Sequence, residues 1–197
     1  MEALKNWWNG FAEKHPKLAE WVQKGGLFLI FSYVVTFIKF LLLMFLPGMY
    51  RGIVGADAVW TWPGIEMELM GIPFTLAIIG NSLADGGLAY TLANLTAIVF
   101  GECINFPLQR NITFKSHGPV GPQILWHGAA TIVVFLVMNL FTCLWNPITT
   151  ALFANEAVRD TVRNIVTTVV TGGVSMVIIF FVDNKIFAPG WGEKKAE

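Results

Sequence analysis

GGLFLIFSYVVTFIKFLLLMFL, residues 25–46, carries one formal charge in 22 positions, that of Lys39. About 20 consecutive apolar residues in a helix cross a hydrocarbon core of about 30 Å. This stretch therefore predicts a transmembrane helix, and three more follow outward from it. Residues 88–107 are apolar except for Glu102 and a few amides and hydroxyls. Residues 124–145 hold no formal charge when His127 is neutral, and residues 165–182 hold none at all. About 24 polar or amphipathic residues precede the first span and no small-residue cleavage site follows it, which argues against a signal peptide.

Composition supports the same class. The chain is 55% hydrophobic and only 13% charged, with mean hydropathy +0.60. Soluble domains carry about a quarter charged residues. The formal net charge is zero, so no global basic field draws nucleic acid, and none is expected as a partner. A length of 197 residues suits one helical domain.

Lys and Arg set the expected orientation. Lys5, Lys14, Lys17, Lys24, Arg110, Lys115, Lys185, Lys194 and Lys195 fall on one side of a four-span layout, against Arg51, Arg159 and Arg163 on the other. The positive-inside rule places both termini in the cytoplasm of a multi-pass cell-membrane protein. Tryptophans fall near both interfaces: Trp7, Trp8, Trp21, Trp126 and Trp191 on the inner side, Trp60, Trp62 and Trp145 on the outer.

The predicted fold class is an all-α integral membrane protein. Residues 1–24 form a cytoplasmic interfacial amphipathic helix, with Leu4, Trp7, Trp8 and Phe11 as its apolar stripe. Residues 25–187 form the four-span domain, and residues 188–197 a cytoplasmic tail. The parallel relation of spans one and two to spans three and four suggests two two-helix repeats. Residues 47–87 are expected to be an outer loop with a re-entrant or interfacial segment, because the apolar run inside it is too short to span.

Polar positions within the spans are the functional clue, since lipid offers them no hydrogen bonds. On span two, Thr91, Asn94, Glu102, Asn105 and Gln109 share one sector of the helix. On span four, Asn164, Thr168, Thr171 and Ser175 do so, a pattern that small-residue helix packing also explains. His127, Thr131 and Thr142 share a side of span three. Lys39, near mid-span, either snorkels outward or serves an anionic ligand or an intramembrane carboxylate, Asp85 or Glu102. No nucleophile–base pair, nucleotide loop or metal-ligand spacing stands out, so neither enzyme activity nor a cofactor is expected. Cys103 and Cys143 lie too far apart in depth to bridge.

The stretch NFPLQRNITF, residues 105–114, ends span two. Arg110 and Lys115 are candidate lipid-phosphate ligands there, with an amide from Asn105. Phe106 and Phe114 are candidate contacts for a lipid tail. The alternative is that Arg110 only enforces topology.

The block resembles the end of span two in the GtrA-like family of small four-span membrane proteins. Asn105, Phe106, Arg110, Thr113 and Phe114 stand at the family's positions, and Ile112 replaces its usual Trp. A weaker second copy, FFVDNKIF at 180–187, offers Asp183 and Lys185 but no Arg. The resemblance implies translocation of a polyprenyl-phosphate-linked monosaccharide for cell-surface polysaccharide or cell-wall synthesis, beside a membrane glycosyltransferase. In that reading Arg110, Lys115, Asn105 and Lys39 meet the phosphate, and Glu102, Asn94, Asp85 and Gln109 form a groove for the sugar. A homodimer is a further expectation. Two rivals stand beside it: a subunit that tethers or stabilises a glycosyltransferase, and a small proton-coupled cation exporter built on Glu102.

Overall fold

A computed structural model describes residues 2–83 and 86–192, apart from the side chains at 3, 4, 160, 164, 168 and 171. Asp85, Lys194 and Lys195, and the side chains of Leu4, Asn164, Thr168 and Thr171, lie outside the described residues. Four helices are long and apolar enough to cross a membrane: Pro16–Val54, Gly87–Thr113, Val120–Leu152 and Glu156–Ile186. They overlap the four predicted runs and extend past them.

Helix α1, Glu2–Lys14, stops at His15, and α2, Pro16–Val54, starts with proline at the position where no N–H donor is needed. Residues 16–24, expected in the interfacial helix, are instead the first turns of the first spanning helix. Trp7 and Trp8 of α1 pack on Phe11 at ring-centroid distances of 5.9 and 5.7 Å. At 39 residues, α2 is about 58 Å long. It passes through Pro47 without ending and closes at Gly55, whose N–H donates to the Arg51 carbonyl.

Helix α3, Gly87–Leu108, runs back against α2. Ala89, Ala93, Ala97, Gly101, Asn105 and Gln109 recur every four residues and are all buried. A stripe of small side chains lets two backbones approach closely where lipid supplies no hydrophobic drive. The Tyr50 and Thr96 hydroxyls meet at 2.7 Å near one end of the pair. At the other end, the Gln109 amide donates to the Phe28 carbonyl at 3.3 Å.

The expectation of an all-α chain is corrected by an antiparallel hairpin within residues 47–87. Strand β1, Trp60–Leu69, pairs with β2, Ile72–Asn81. Ile65, Met67 and Leu69 alternate with Glu66 and Glu68, a period of two. Met70 and Gly71 make the turn at φ of 55° and 79°, the positive values that a two-residue hairpin requires. The Thr75 hydroxyl donates across the strands to Glu66 at 2.8 Å. Strand β2 lies on α4, Val120–Leu152, where the Cys143 thiol donates to the Thr75 carbonyl at 3.3 Å.

The fourth span consists of α5, Glu156–Thr167, a π-helical stretch Thr168–Val174, and α6, Ser175–Ile186. Asn155 caps α5, accepting the Val158 N–H at 3.1 Å. A second π-helical turn, Gln109–Thr113, follows Pro107 at the end of α3. Phe28, Phe114, Ile186 and Phe187 form the buried core, packed by Phe106 and Phe180. This core sits at the end opposite the hairpin, called here the loop end.

Ala93 is fully buried on the small-residue stripe. Ala93→Leu is expected to overpack the α2–α3 seam by about 1–3 kcal/mol and to lower the unfolding temperature in detergent. Val99→Leu, on the exposed side of α3, serves as control and leaves it unchanged.

Candidate functional site

Each of the four spans brings one ionisable side chain to a common cluster. Lys39 comes from α2, Glu102 from α3, His127 from α4 and Asp183 from α6. Lys39 Nζ donates to Glu102 Oε1 at 2.7 Å. Glu102 Oε2 faces His127 Nε2 at 3.1 Å and accepts from Asn105 Nδ2 at 3.1 Å. His127 Nδ1 faces Asp183 Oδ1 at 2.7 Å. With both ring nitrogens against carboxylate oxygens, the Glu102–His127–Asp183 bridge requires two protons between its members. Its charge is then −1 and balances the +1 of Lys39.

Mutual neutralisation makes the cluster tolerable within a membrane. A lone lysine at a span centre costs about 2.5–3.5 kcal/mol on insertion scales. Asp183 and His127 are sealed at 0% and 2% exposure. The Lys39 and Glu102 side chains keep 25% and 22%. The cluster therefore has a buried half and a reachable half. Phe106 and Phe187 pack on the His127 ring at centroid distances of 5.4 and 6.4 Å.

Gly101 sets the geometry of the ion pair. A β-carbon there would overlap the Lys39 side-chain methylenes. Any larger residue there would push the lysine off this path across α3 to Glu102 on the next residue.

Among the described residues, cavities line the bundle at three levels. The middle one, about 220 Å³, has Lys39 and Glu102 on its wall with Thr36, Asn105, Thr131 and Ser175. A loop-end cavity of about 500 Å³ is lined by Glu20, Lys24, Lys115, Trp21, Phe114 and Asn184, with Lys24 paired to Glu20 at 2.6 Å. The third, about 740 Å³, lies between the hairpin, α4 and α5, with Arg163 on its wall.

Arg110 holds the loop after α3. Its Nε donates to Gln123 at 2.8 Å, Nη1 to Asn111 at 2.7 Å and Nη2 to the Gly118 carbonyl at 2.9 Å. Gln123, fully buried, donates on to Ser116 at 2.8 Å and to the Ile186 carbonyl at 3.1 Å. Arg110 lines none of the three cavities. Lys115 follows at φ 49°, a left-handed conformation that costs a side-chain-bearing residue about 1–2 kcal/mol.

The other residues singled out in the sequence are dispersed. Gln109 donates to Asn105 Oδ1 at 3.2 Å, so Glu102, Asn105 and Gln109 form one line on α3. Asn94 is half-buried and lines none of these cavities. Phe106 and Phe114, expected to touch a lipid tail, pack inward with the aromatic core. Asp183 is the buried end of the bridge, whereas Lys185 is exposed. Asp85 lies outside the described residues, and Glu102 is the carboxylate that Lys39 meets. Sequence reasoning missed His127 as the hub. It sits about as far in from the loop end of its helix as Glu102 does, and matching depths among ionisable residues was the available signal.

Comparison with known proteins gives one match. A family model for the GtrA/DPMS transmembrane domain matches residues 70–188. No curated protein and no solved structure matches the chain.

Removing one partner of the ion pair leaves the other unsatisfied. Glu102→Gln and Lys39→Met are each expected to destabilise the bundle by about 1–3 kcal/mol. The double variant is expected to recover part of that loss, which thermal unfolding of all four proteins in one detergent measures.

Proposed function

The chain belongs to the GtrA/DPMS transmembrane-domain family, a membrane family tied to polyprenyl-phosphate sugar handling, and from that premise we propose that it translocates a polyprenyl-phosphate-linked monosaccharide. The observation that carries the reading is the Lys39–Glu102 pair on the wall of the middle cavity. Such a lipid has an anionic phosphate, a polar sugar and a long apolar tail. Moving its headgroup across a bilayer needs cations inside the membrane that exchange partners. Lys39 is bonded to a carboxylate and still reachable, so an arriving phosphate competes with Glu102 for it. Glu102 keeps its bonds to His127 and Asn105 during the exchange.

In this reading the headgroup first rests in the loop-end cavity. Lys115 supplies its cation, with Lys24 exchanging from its pair with Glu20, and the strained backbone of Lys115 is consistent with a side chain held there for a ligand. Arg110 we assign to bracing the loop that presents Lys115. The Lys/Arg asymmetry supports a cell-membrane orientation with this end and both termini in the cytoplasm. A membrane glycosyltransferase that supplies the lipid, an α1 that lies on the bilayer surface, and a homodimer belong to the same proposal. The family's members are generally non-catalytic, in keeping with a carrier that makes and breaks no covalent bond.

Purified protein is titrated with polyprenyl phosphate by native mass spectrometry, then reconstituted for a flipping assay with a polyprenyl-phosphate sugar. Lys39→Met and Lys115→Gln are each expected to weaken phosphate binding by about tenfold, the worth of one charge-assisted hydrogen bond. Lys39→Met is expected to abolish flipping. Arg110→Ala is expected to act first on thermal stability. Wild-type binding without flipping supports the tethering-subunit reading, and absence of binding sinks the proposal.

A further inference from the structure

The hairpin-end cavity carries polar groups that the cluster around Lys39 does not use. On α4, Asn139, Thr142, Cys143, Asn146 and Thr150 recur at intervals of three and four and line this cavity together. Thr142 and Thr150 donate their hydroxyls to backbone carbonyls, leaving oxygen lone pairs free to accept. The half-buried Asn139 carboxamide has no hydrogen-bond partner among the described residues. The Asn146 side-chain oxygen is buried and also has none. Unsatisfied amides on a membrane-crossing helix are costly, so such groups face something polar.

We propose that this cavity is the site where the sugar of the translocated lipid is bound and distinguished; the inference rests on the function proposed above. Three features select a sugar over other polar occupants. Carboxamides offer donors and acceptors side by side, as vicinal hydroxyls do. Phe74 and Tyr90 put aromatic faces on the same wall, suited to the C–H face of a pyranose or furanose ring. No described carboxylate lies on the wall, so nothing there repels the sugar's linked phosphate.

Size separates this cavity from the middle one. Small-molecule pockets span about 300–1,000 Å³. At about 740 Å³ the hairpin-end cavity falls inside that range, and at about 220 Å³ the middle cavity falls below it. The middle cavity is then a passage past Lys39, and the hairpin end is where a whole headgroup rests.

The test compares farnesyl phosphate with a panel of farnesyl-phosphate monosaccharides, by native mass spectrometry of the full chain. Wild type is expected to bind at least one sugar lipid five- to tenfold more tightly than farnesyl phosphate. Asn139→Leu and Asn146→Leu are expected to bring that ratio to about one while farnesyl phosphate binding holds. A second readout does not depend on those variants folding. In Cys103→Ser protein, reaction of Cys143 with a methanethiosulfonate reagent is expected to slow with the preferred sugar lipid but not with farnesyl phosphate. A ratio that survives in both variants, or Cys143 reacting equally with either lipid, overturns the sugar site and leaves the lipid-phosphate reading standing. A wild type with no preference across the panel also overturns it. A wild type that binds neither lipid removes the proposed function along with it.

Discussion

The interaction on which the rest of the structure depends is the 2.7 Å ion pair between Lys39 and Glu102 across the face of Gly101. It requires α2 and α3 to lie close enough for a lysine to cross one helix, which the Ala89, Ala93, Ala97 and Gly101 stripe permits. It also fixes where Glu102 stands, and Glu102 in turn fixes His127 through a 3.1 Å contact. Asp183 closes the series at 2.7 Å from α6. Each helix thus contributes one group, and the registers of all four are tied to a single line of polar bonds. In lipid, where apolar faces gain little by meeting, such bonds supply much of the specificity of packing.

The four spans were legible because a run of about 20 apolar residues fits little besides a membrane crossing. Their ends were less so. Residues 16–24 read as part of an interfacial segment because Leu18, Trp21 and Val22 resume its apolar stripe past Pro16, yet they are continuous with the helix of the first span. Glu20 and Lys24 pair at 2.6 Å one turn apart, as helical residues do. The hairpin was missed for a different reason. Its second strand is an apolar run without alternation, which periodicity cannot distinguish from a helix. The first strand did alternate, at Ile65 through Leu69, but its turn is Met-Gly, where Asn-Gly or Asp-Gly would have marked it.

For the site, the sequence exposed the ionisable residues and left their pairing undetermined. Lys39 and Glu102 were visible as charges inside apolar runs. Arg110 stood out because a cation at the end of a span invites a ligand, yet its nitrogens are bonded to Asn111, to Gly118 in the loop and to Gln123 in the first turn of α4. Neutral polar residues were the hardest to weigh. Thr142 was noted, while Asn139 and Asn146 were passed over, because the stripe is recognised only once β2 and α5 wall in the same space. Cations recur along the bundle, Lys24 and Lys115 at the loop end, Lys39 in the middle and Arg163 at the hairpin end.

The polar positions of α4 do not run straight. From Thr131 on the middle cavity to Asn139 on the hairpin-end cavity the helix rises about 12 Å and, at about 100° per residue, turns through about 80° net. The middle and hairpin-end cavities consequently open on different azimuths of one helix. On the function proposed above, a headgroup passing from one to the other would follow a spiral track around α4, like a thread around a screw. Its apolar tail would then have to swing around the bundle as the headgroup advances. The handedness of that track is set by the helix itself, since L-amino acids make it right-handed.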